Sequence, residues 1–256
     1  MVENLLQSVT YPPSLVHVFL GVYPNDPATC QAAEGLAKKY PNVHPVVNRL
    51  PGPTSKAQNL NCVLKSVLDF ERDNRVRFAA FLIHDAEDVV HPTSFKLAKY
   101  LTYEYEVVQL PVFPLQPYPT CGTFFRFITA ATYAVSSPTT TTGDFLHARP
   151  AVPWCRLRER VLLFSRRALD QVGSYRLFEE GSVTEDYLLS LRLKELGIHT
   201  HFFIEGVQRV LDNGKIATEY VALQGSCSQI RFGKQSSRSR AGYTGSLFKA
   251  FHFSRC

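Results

Sequence analysis

Residues 77–88 have the sequence Arg-Phe-Ala-Ala-Phe-Leu-Ile-His-Asp-Ala-Glu-Asp, an apolar run that ends in three carboxylates. The run from Arg77 to Ile83 is typical of a strand that is buried on both faces, because a half-exposed strand would alternate apolar with polar residues. Asp85, Glu87 and Asp88 follow the carboxyl end of this strand, which is where open α/β sheets bind ligands. This stretch therefore predicts an α/β fold with an acidic site at the edge of its sheet.

The rest of the chain repeats the pattern of a strand followed by a helix. Strands are predicted at 16–22, 43–47, 106–113 and 199–205, and helices at 27–40, 60–70, 93–101 and 181–197, the last capped by Thr184. Such alternation predicts a mainly parallel sheet with helices on both faces. Residues 116–160 are expected to be irregular, and no element is assigned beyond about Tyr220.

Composition and charge limit the domain organisation and the partners. A chain of 256 residues with 45% hydrophobic content predicts one main domain, placed at residues 1–219, followed by a basic, Ser/Gly/Arg-rich tail at 220–256. The net charge of +6 comes from residues 231–256, which hold six Lys or Arg and no acidic residue. Residues 1–230 carry 22 basic and 22 acidic residues (28 minus 6, and 22), so no nucleic-acid partner is expected.

Targeting signals and membrane spans are not predicted from the residues themselves. Apolar runs such as Phe78–Ile83 are far shorter than the roughly 18 residues that a membrane helix needs. Residues 1–10 lack the basic start and apolar middle of a signal peptide. The chain as it stands is therefore expected to be soluble and cytoplasmic.

The three carboxylates after the strand favour a metal site. Asp85, Glu87 and Asp88 repel one another, and a hard cation such as Mg²⁺ or Mn²⁺ relieves the repulsion by binding their oxygens. The same cation can hold a diphosphate and stabilise its departure. A solvated acidic loop would have the same local sequence, so both interpretations stay open at this point.

A second acidic pair opens the helix near residue 185. Thr184 is placed to cap this helix, and Glu185 and Asp186 lie in its first turn, where the helix dipole favours an ionised carboxylate. An ionised and oriented carboxylate can act as a general base towards a hydroxyl group. An ordinary acidic helix start would look the same.

The third candidate is a lysine at the start of a helix. Lys56 follows Pro53, Thr54 and Ser55 and precedes a helix that carries Asn59. Helix starts attract anions, so a phosphate or the edge of a nucleobase could bind beside Lys56. A plain surface lysine is the alternative.

The order of these motifs resembles the family 2 inverting glycosyltransferases, which include cellulose synthase-like enzymes. The matching stretches are Lys-Ala-x-x-Leu-Asn at 56–61, the acidic motif at 85–88 and Thr-Glu-Asp at 184–186. Three stretches are similar to the phage-adsorption protein B group of membrane-anchored, glycosyltransferase-like proteins: Val-Tyr-Pro-Asn-Asp at 22–26, His-Asp-Ala-Glu-Asp at 84–88 and Thr-Glu-Asp-Tyr at 184–187. The likeness covers residues 1 to about 115 and 161–219.

The resemblance implies a GT-A fold that binds a nucleotide sugar, UDP-sugar above all, and a carbohydrate or lipid-linked acceptor. Asp85 and Glu87 would contact the diphosphate and its Mg²⁺ or Mn²⁺, with Asp88 beside them. Asp186 would be the catalytic base, with Glu185 next to it. Lys56 would belong to the nucleotide pocket, and Asn25 and Asp26 would lie near the base or the ribose. The resemblance also implies a location at the cytoplasmic face of the inner membrane, where segments absent from this chain would anchor the protein.

Two departures from the family pattern support an alternative function. The family's first strand would precede residue 1, so the sheet is expected to have an incomplete first strand. Gln235 and Arg238 match a Gln-x-x-Arg-Trp element, but Ser239 stands where the tryptophan would stack on the acceptor sugar. The alternative is a catalytically inactive remnant that acts as an interaction module. A metal-dependent phosphohydrolase is a third class, for which the sequence identifies neither a nucleophilic Asp nor a second metal site.

Overall fold

The computed structural model describes residues 2–85, 89–110, 112–114, 161–173, 175–181, 185–203, 205–211, 213–220, 223–225 and 246–251. The α-helices in these ranges are α1 (Val2–Ser8), α2 (Pro27–Lys39), α3 (Lys56–Asn74), α4 (Ser94–Glu104), α5 (Arg166–Val172) and α6 (Glu185–Glu195), and a short 3-10 helix spans Pro13–Leu15. The strands are β1 (Val16–Val22), β2 (Val43–Val47), β3 (Ala80–Asp85), β4 (Val107–Gln109), β5 (Val112–Pro114), β6 (Val161–Ser165), β7 (Thr200–Phe202), β8 (Gly206–Val210), β9 (Ile216–Tyr220), β10 (Leu223–Gly225) and β11 (Ser246–Phe251).

The main sheet contains seven strands in the order β2-β1-β11-β3-β6-β4-β7. The pairs β1–β2 and β4–β7 are parallel, and the other four neighbouring pairs are antiparallel. Five strands therefore run in one direction, and β11 and β6 run in the other. The predicted α/β class is confirmed, and the mixed sheet is of the GT-A type. Reversal of β11 and β6 makes most neighbour pairs antiparallel, although most strands share one direction.

Helices cover both faces of this sheet, as predicted. β3 shows how the two faces are built, because its side chains alternate: Phe81 and Ile83 pack in one core cluster, and Ala80 and Leu82 pack in the other. The first cluster lies under α3, α5 and α6, and the second lies under α1, α2 and α4. A strand buried on both faces needs a continuous apolar sequence, which explains the run that follows Arg77.

Local capping explains where α2 and α3 begin. Asp26 caps α2 by accepting a hydrogen bond from the backbone N–H of Thr29 at 3.1 Å, and Pro27 occupies the first helical position. Ser55 caps α3 in the same way through the N–H of Gln58, at 3.2 Å. Both caps place a helix start close to the end of a strand.

A glycine allows α3 to lie directly against β1. A Cβ atom added to Gly21 would be 2.7 Å from Cγ2 of Val63 and 2.8 Å from Oδ1 of Asn59, distances that real Cβ atoms do not show. The close approach therefore depends on the absence of a side chain at Gly21.

Several sequence predictions need correction. No element was assigned beyond about Tyr220, but β10 forms there and β11 lies inside the main sheet, between β1 and β3. β6 and α5 were not predicted either. The strand predicted at 106–113 is two strands, β4 and β5, in different sheets, and the one predicted at 199–205 is only β7.

Other predictions lie outside the described residues. These include the irregular character of residues 116–160, the N-cap at Thr184 and most of the tail. The division into residues 1–219 and 220–256, and the expectation of an incomplete first strand, stay predictions. The predicted cap at residues 93 and 94 differs from the structure in one respect: Thr93 precedes α4, but its hydroxyl pairs with Nδ1 of His91 at 2.9 Å and makes no cap hydrogen bond.

Candidate active site

The strands β1, β2 and β3 end at the same edge of the main sheet, because they run in the same direction. We call this edge the carboxyl edge. β1 leads into Asn25 and Asp26, and β3 ends at Asp85. α3 starts at the same edge with Lys56, since residues 48–55 connect it to the end of β2. Ligands of open α/β sheets bind at such an edge, beside a change in strand order like the one between β1 and β3.

The helix α6 also starts at the carboxyl edge. β7 follows α6 after residues 196–199 and runs parallel to β4, in the direction of β3, so β7 begins at the opposite edge. α6 therefore ends at the opposite edge and begins at the carboxyl edge with Glu185 and Asp186, both partly buried. The fold thus brings the predicted donor-side and base-side motifs to one edge of the sheet.

The acidic motif is described only in part. Asp85 is the last residue of β3, where its backbone is paired with Ser246 of β11. Its side chain, together with Glu87 and Asp88, lies outside what the structure describes. Within the described segments, no three His, Cys, Asp or Glu side chains are grouped so that they could hold a metal ion. The side chains of the three predicted ligands lie outside the described part of the chain, so the metal site stays a prediction.

A network of amide and hydroxyl groups shapes the start of α3. The side chains of Asn48 and Gln58 donate to each other, with N···O distances of 2.8 Å and 3.1 Å. Thr54 donates its hydroxyl to Oε1 of Gln58 at 2.7 Å and lies 2.8 Å from the hydroxyl of Tyr23. The network joins the ends of β1 and β2 to the first turn of α3, and so fixes the backbone around Lys56.

Asn25 and Asp26 hold the loops of the carboxyl edge. Nδ2 of Asn25 donates to the carbonyl of Gly52 at 2.7 Å, and Oδ1 of Asn25 accepts from the N–H of Gly52 at 2.6 Å. Asp26 accepts from the hydroxyl of Thr29 at 2.6 Å and from its N–H at 3.1 Å. These bonds lower the pKa of Asp26, the hydroxyl contributing most. Both side chains thus have a structural role, and their contact with a nucleotide stays a prediction.

Asn61 links α3 to the segment that precedes α6. Its Nδ2 donates to the carbonyl of Phe178 at 2.8 Å and to Oε1 of Glu180 at 2.9 Å. Its Oδ1 accepts from the N–H of Phe178 at 3.0 Å. The sequence places Asn61 in the Lys-Ala-x-x-Leu-Asn stretch but offers no sign of this partner, because 117 positions separate the two residues.

The comparisons with known proteins agree with this architecture. Residues 1–222 match the family described as "Glycosyltransferase like family 2". The chain is 38% identical over 192 residues to "Bacteriophage adsorption protein B" of Escherichia coli (strain K12) and, to the same extent, to "Bacteriophage N4 adsorption protein B" of Escherichia coli O157:H7. Each alignment covers 73% of this chain and 25% of the relative, so the chain spans about a quarter of the length of these proteins.

The comparisons confirm the resemblance drawn from the motifs. The family implies a nucleotide-sugar donor and an acceptor, and it generally uses a divalent metal. In the part of the chain that the structure describes, no helix has the length and apolar content to cross a membrane. Because the family match covers most of the chain and the fold is of the matching type, this protein belongs to glycosyltransferase-like family 2.

Proposed function

We propose that this domain is an inverting, metal-assisted glycosyltransferase. It would move a sugar from a nucleoside-diphosphate donor, with UDP-sugar as the favoured class, to a hydroxyl group of a carbohydrate or lipid-linked acceptor. The observation that carries the proposal is the convergence on one sheet edge of the end of β3 at Asp85, the start of α3 at Lys56 and the start of α6 at Asp186. Family membership supplies the chemistry to which this convergence is suited.

The donor side would be formed by α3 and the acidic motif. Lys56 lies in the first turn of α3, where its charge and the positive end of the helix dipole both favour phosphate. Asp85 and Glu87, with Asp88 beside them, would hold the metal, since carboxylate oxygens are the ligands that Mg²⁺ and Mn²⁺ prefer. Bound there, the ion would offset the negative charge that gathers on the departing diphosphate.

The acceptor side would use the first turn of α6. Asp186, with Glu185 next to it, lies where the helix dipole favours a charged carboxylate. Its carboxylate would take the proton of the acceptor hydroxyl as the hydroxyl oxygen bonds to the anomeric carbon. The bond from that carbon to the diphosphate oxygen breaks on the opposite face, and the leaving group keeps the electron pair. Attack from the opposite face inverts the configuration of the sugar.

The decisive experiment measures donor binding and turnover separately. Wild-type protein should gain thermal stability from UDP with Mn²⁺ and should hydrolyse or transfer sugar from a UDP-sugar panel. Asp186→Asn should lower turnover by roughly 100-fold or more while it keeps the stabilisation by UDP and Mn²⁺. Asp85→Ala should remove the stabilisation. Asp73→Asn changes an exposed carboxylate at the end of α3 and is the matched control for Asp186→Asn. Absence of both binding and turnover in the intact protein would refute the proposal.

A second candidate function is a catalytically inactive interaction module. Two observations favour it: Ser239 replaces the tryptophan expected to stack on the acceptor, and the relatives are named as phage-adsorption proteins. In that case the domain would contribute to phage adsorption at the cytoplasmic face of the inner membrane, anchored by segments outside this chain. Binding of UDP and Mn²⁺ without hydrolysis or transfer to any acceptor would favour this candidate.

A further inference from the structure

We propose that Asn61 is a positioning residue, which sets the place of Asp186 by holding the segment 177–181 against α3. The inference rests on the proposed function, because Asp186 acts as a base only if the domain transfers sugar. It concerns the chain's own geometry, however, and part of its test is independent of catalysis.

The amide of Asn61 binds the segment in the way that a neighbouring strand would. It accepts from the N–H of Phe178 at 3.0 Å and donates to the carbonyl of the same residue at 2.8 Å. Asn61 is 2% exposed, and Phe178 is buried, so water does not compete for these bonds. A third bond, to Oε1 of Glu180 at 2.9 Å, extends the contact towards α6.

Asparagine has the donor and the acceptor that this contact needs. Aspartate at position 61 would keep the acceptor for the N–H of Phe178 but would direct a carboxylate oxygen at a carbonyl and at the carboxylate of Glu180. Such an arrangement leaves buried acceptors without a donor, which is costly. Glutamine is one methylene longer and could not occupy the same position in a packed interior without a shift of the segment.

The segment 177–181 limits the position of α6 in two ways, through the short connection between them and through direct contacts. Gly181 and Glu185 are four residues apart, so the chain between them spans at most about 14 Å. α6 packs in the same core cluster as Phe178 through Leu189 and Leu193. Nη1 of Arg192, on α6, also donates to the carbonyls of Arg176 and Leu177. The segment is thus held by α3 on one side and by α6 on the other, and α6 carries Asp186.

Amide hydrogen exchange of the full chain tests the positioning directly. In Asn61→Asp, exchange of the amides in 177–181 and in the first six residues of α6 (185–190) should become at least tenfold faster, while β1, β3 and α3 keep their wild-type rates. Asn74→Asp is the matched control, because it makes the same change on the same helix at an exposed position where Nδ2 donates to the carbonyl of Phe70. That control should leave 185–190 unchanged.

A second substitution separates positioning from a general loss of stability. In the double variant Asn61→Asp with Glu180→Gln, the amide of residue 180 can donate to the new carboxylate, which restores the side-chain bond with its polarity reversed. Exchange of 185–190 should then slow towards the wild-type rate without reaching it, because the carbonyl of Phe178 still lacks its side-chain donor. Faster exchange throughout the sheet, faster exchange confined to 177–181, or no recovery in the double variant would each overturn the inference.

Measurement of kcat and of donor binding provides the third test of the inference. With a UDP-sugar that the wild type uses, Asn61→Asp should lower kcat about tenfold or more and change the Kd for UDP with Mn²⁺ by less than about threefold, because donor binding does not need Asp186. An unchanged kcat would also overturn the inference. An inactive wild type would refute the proposed function alone, since the exchange experiment still decides whether Asn61 positions α6.

Discussion

Arg166 binds Glu71 through both carboxylate oxygens, with Nη1 2.7 Å from Oε1 and 2.6 Å from Oε2. Glu71 belongs to α3, and its side chain is only 8% exposed. Its Oε1 also accepts from the N–H of Phe78 at 2.6 Å, so the carboxylate joins α3 to the chain that enters β3. This ion pair, with its carboxylate buried and its guanidinium partly exposed, ties the end of the donor-side helix to α5.

Loss of the arginine should be strongly destabilising. Arg166→Met would leave the buried carboxylate of Glu71 without its cation, which costs about 3–5 kcal/mol in comparable cases. Urea unfolding measures the change in the free energy of unfolding. Arg72→Met, where the guanidinium is exposed and pairs with Asp69 and Asp73, should change it by less than about 1 kcal/mol. Equal effects of the two substitutions would contradict this account.

Alanine substitutions at Gly21 and at Gly35 should change the stability of the protein in opposite directions. Gly21→Ala would force a methyl group to within 2.7 Å of Cγ2 of Val63, and it should destabilise the protein by about 1–3 kcal/mol. Gly35→Ala, in the middle of α2, meets no atom within 4 Å and should stabilise by about 0.5–1 kcal/mol. Thermal unfolding of the two variants tests both signs. Little or no destabilisation by Gly21→Ala would show that α3 can move away from β1.

A stacked histidine pair predicts a pH dependence of stability. The rings of His17 and His44 stack with centroids 5.2 Å apart, and Nδ1 of His17 lies 2.9 Å from Nε2 of His44. Burial among aromatic rings, and then the charge of His17, lower the pKa of His44 from 6.5 to about 4. The folded state therefore binds this proton less well than the unfolded state does. The contribution of neutral His44 to the free energy of unfolding is therefore fully present above pH 6.5 and is lost as the pH falls to about 4.

Replacement of His44 should flatten this part of the pH profile. Between pH 7 and pH 4.5, wild-type protein should lose roughly 1–2 kcal/mol more than His44→Phe does, less than the full linkage value because the ring is partly exposed. The difference between the two profiles is the quantity to measure, since carboxylates such as Asp26 and Asp69 contribute equally to both. Identical profiles would show that His44 titrates normally in the folded protein.

The position of β11 predicts a large effect of proline. Phe248 lies between Phe19 of β1 and Ile83 of β3, paired with strands on both sides. Phe248→Pro removes a backbone donor from the middle of the sheet and should cost about 3 kcal/mol or more. Ile216→Pro, in strand β9 of the two-stranded sheet that β9 forms with β8, should cost less. Circular dichroism during thermal unfolding would measure the difference. If the protein tolerated proline at position 248, β11 could not lie inside the sheet.

Elements with a strong local pattern were predictable, and elements that depend on distant pairing were not. The apolar runs of β1 and β3 and the cap at Asp26 are visible in the sequence because burial and capping impose them locally. β6 has four apolar residues with arginines on both sides, and so short an apolar run does not identify a strand by periodicity. The structure shows why one arginine belongs there: Arg166 follows β6 directly and neutralises Glu71.

The same limit applies to the candidate site. The motifs at Lys56 and Asp186 were found from residue type and from their place at helix starts, and their arrival at one edge follows from strand direction. The hydrogen bonds between Asn61 and Phe178 leave no local pattern in the sequence, because Phe178 contributes only its backbone groups. Likewise, the hydrogen bonds of Asn25 to Gly52 give that side chain a structural role that sequence position alone could not reveal.

The pairing of β1 with β11 has a consequence for how quickly the protein folds. The paired residues are 225 to 235 positions apart, from Gly21 with Ser246 to Val16 with Phe251. Contacts of such high sequence separation bear a large loop-closure entropy and slow the search for the native state. The two halves on either side of β11 can form from nearer contacts, so their union through β11 should be the slow, late event of refolding.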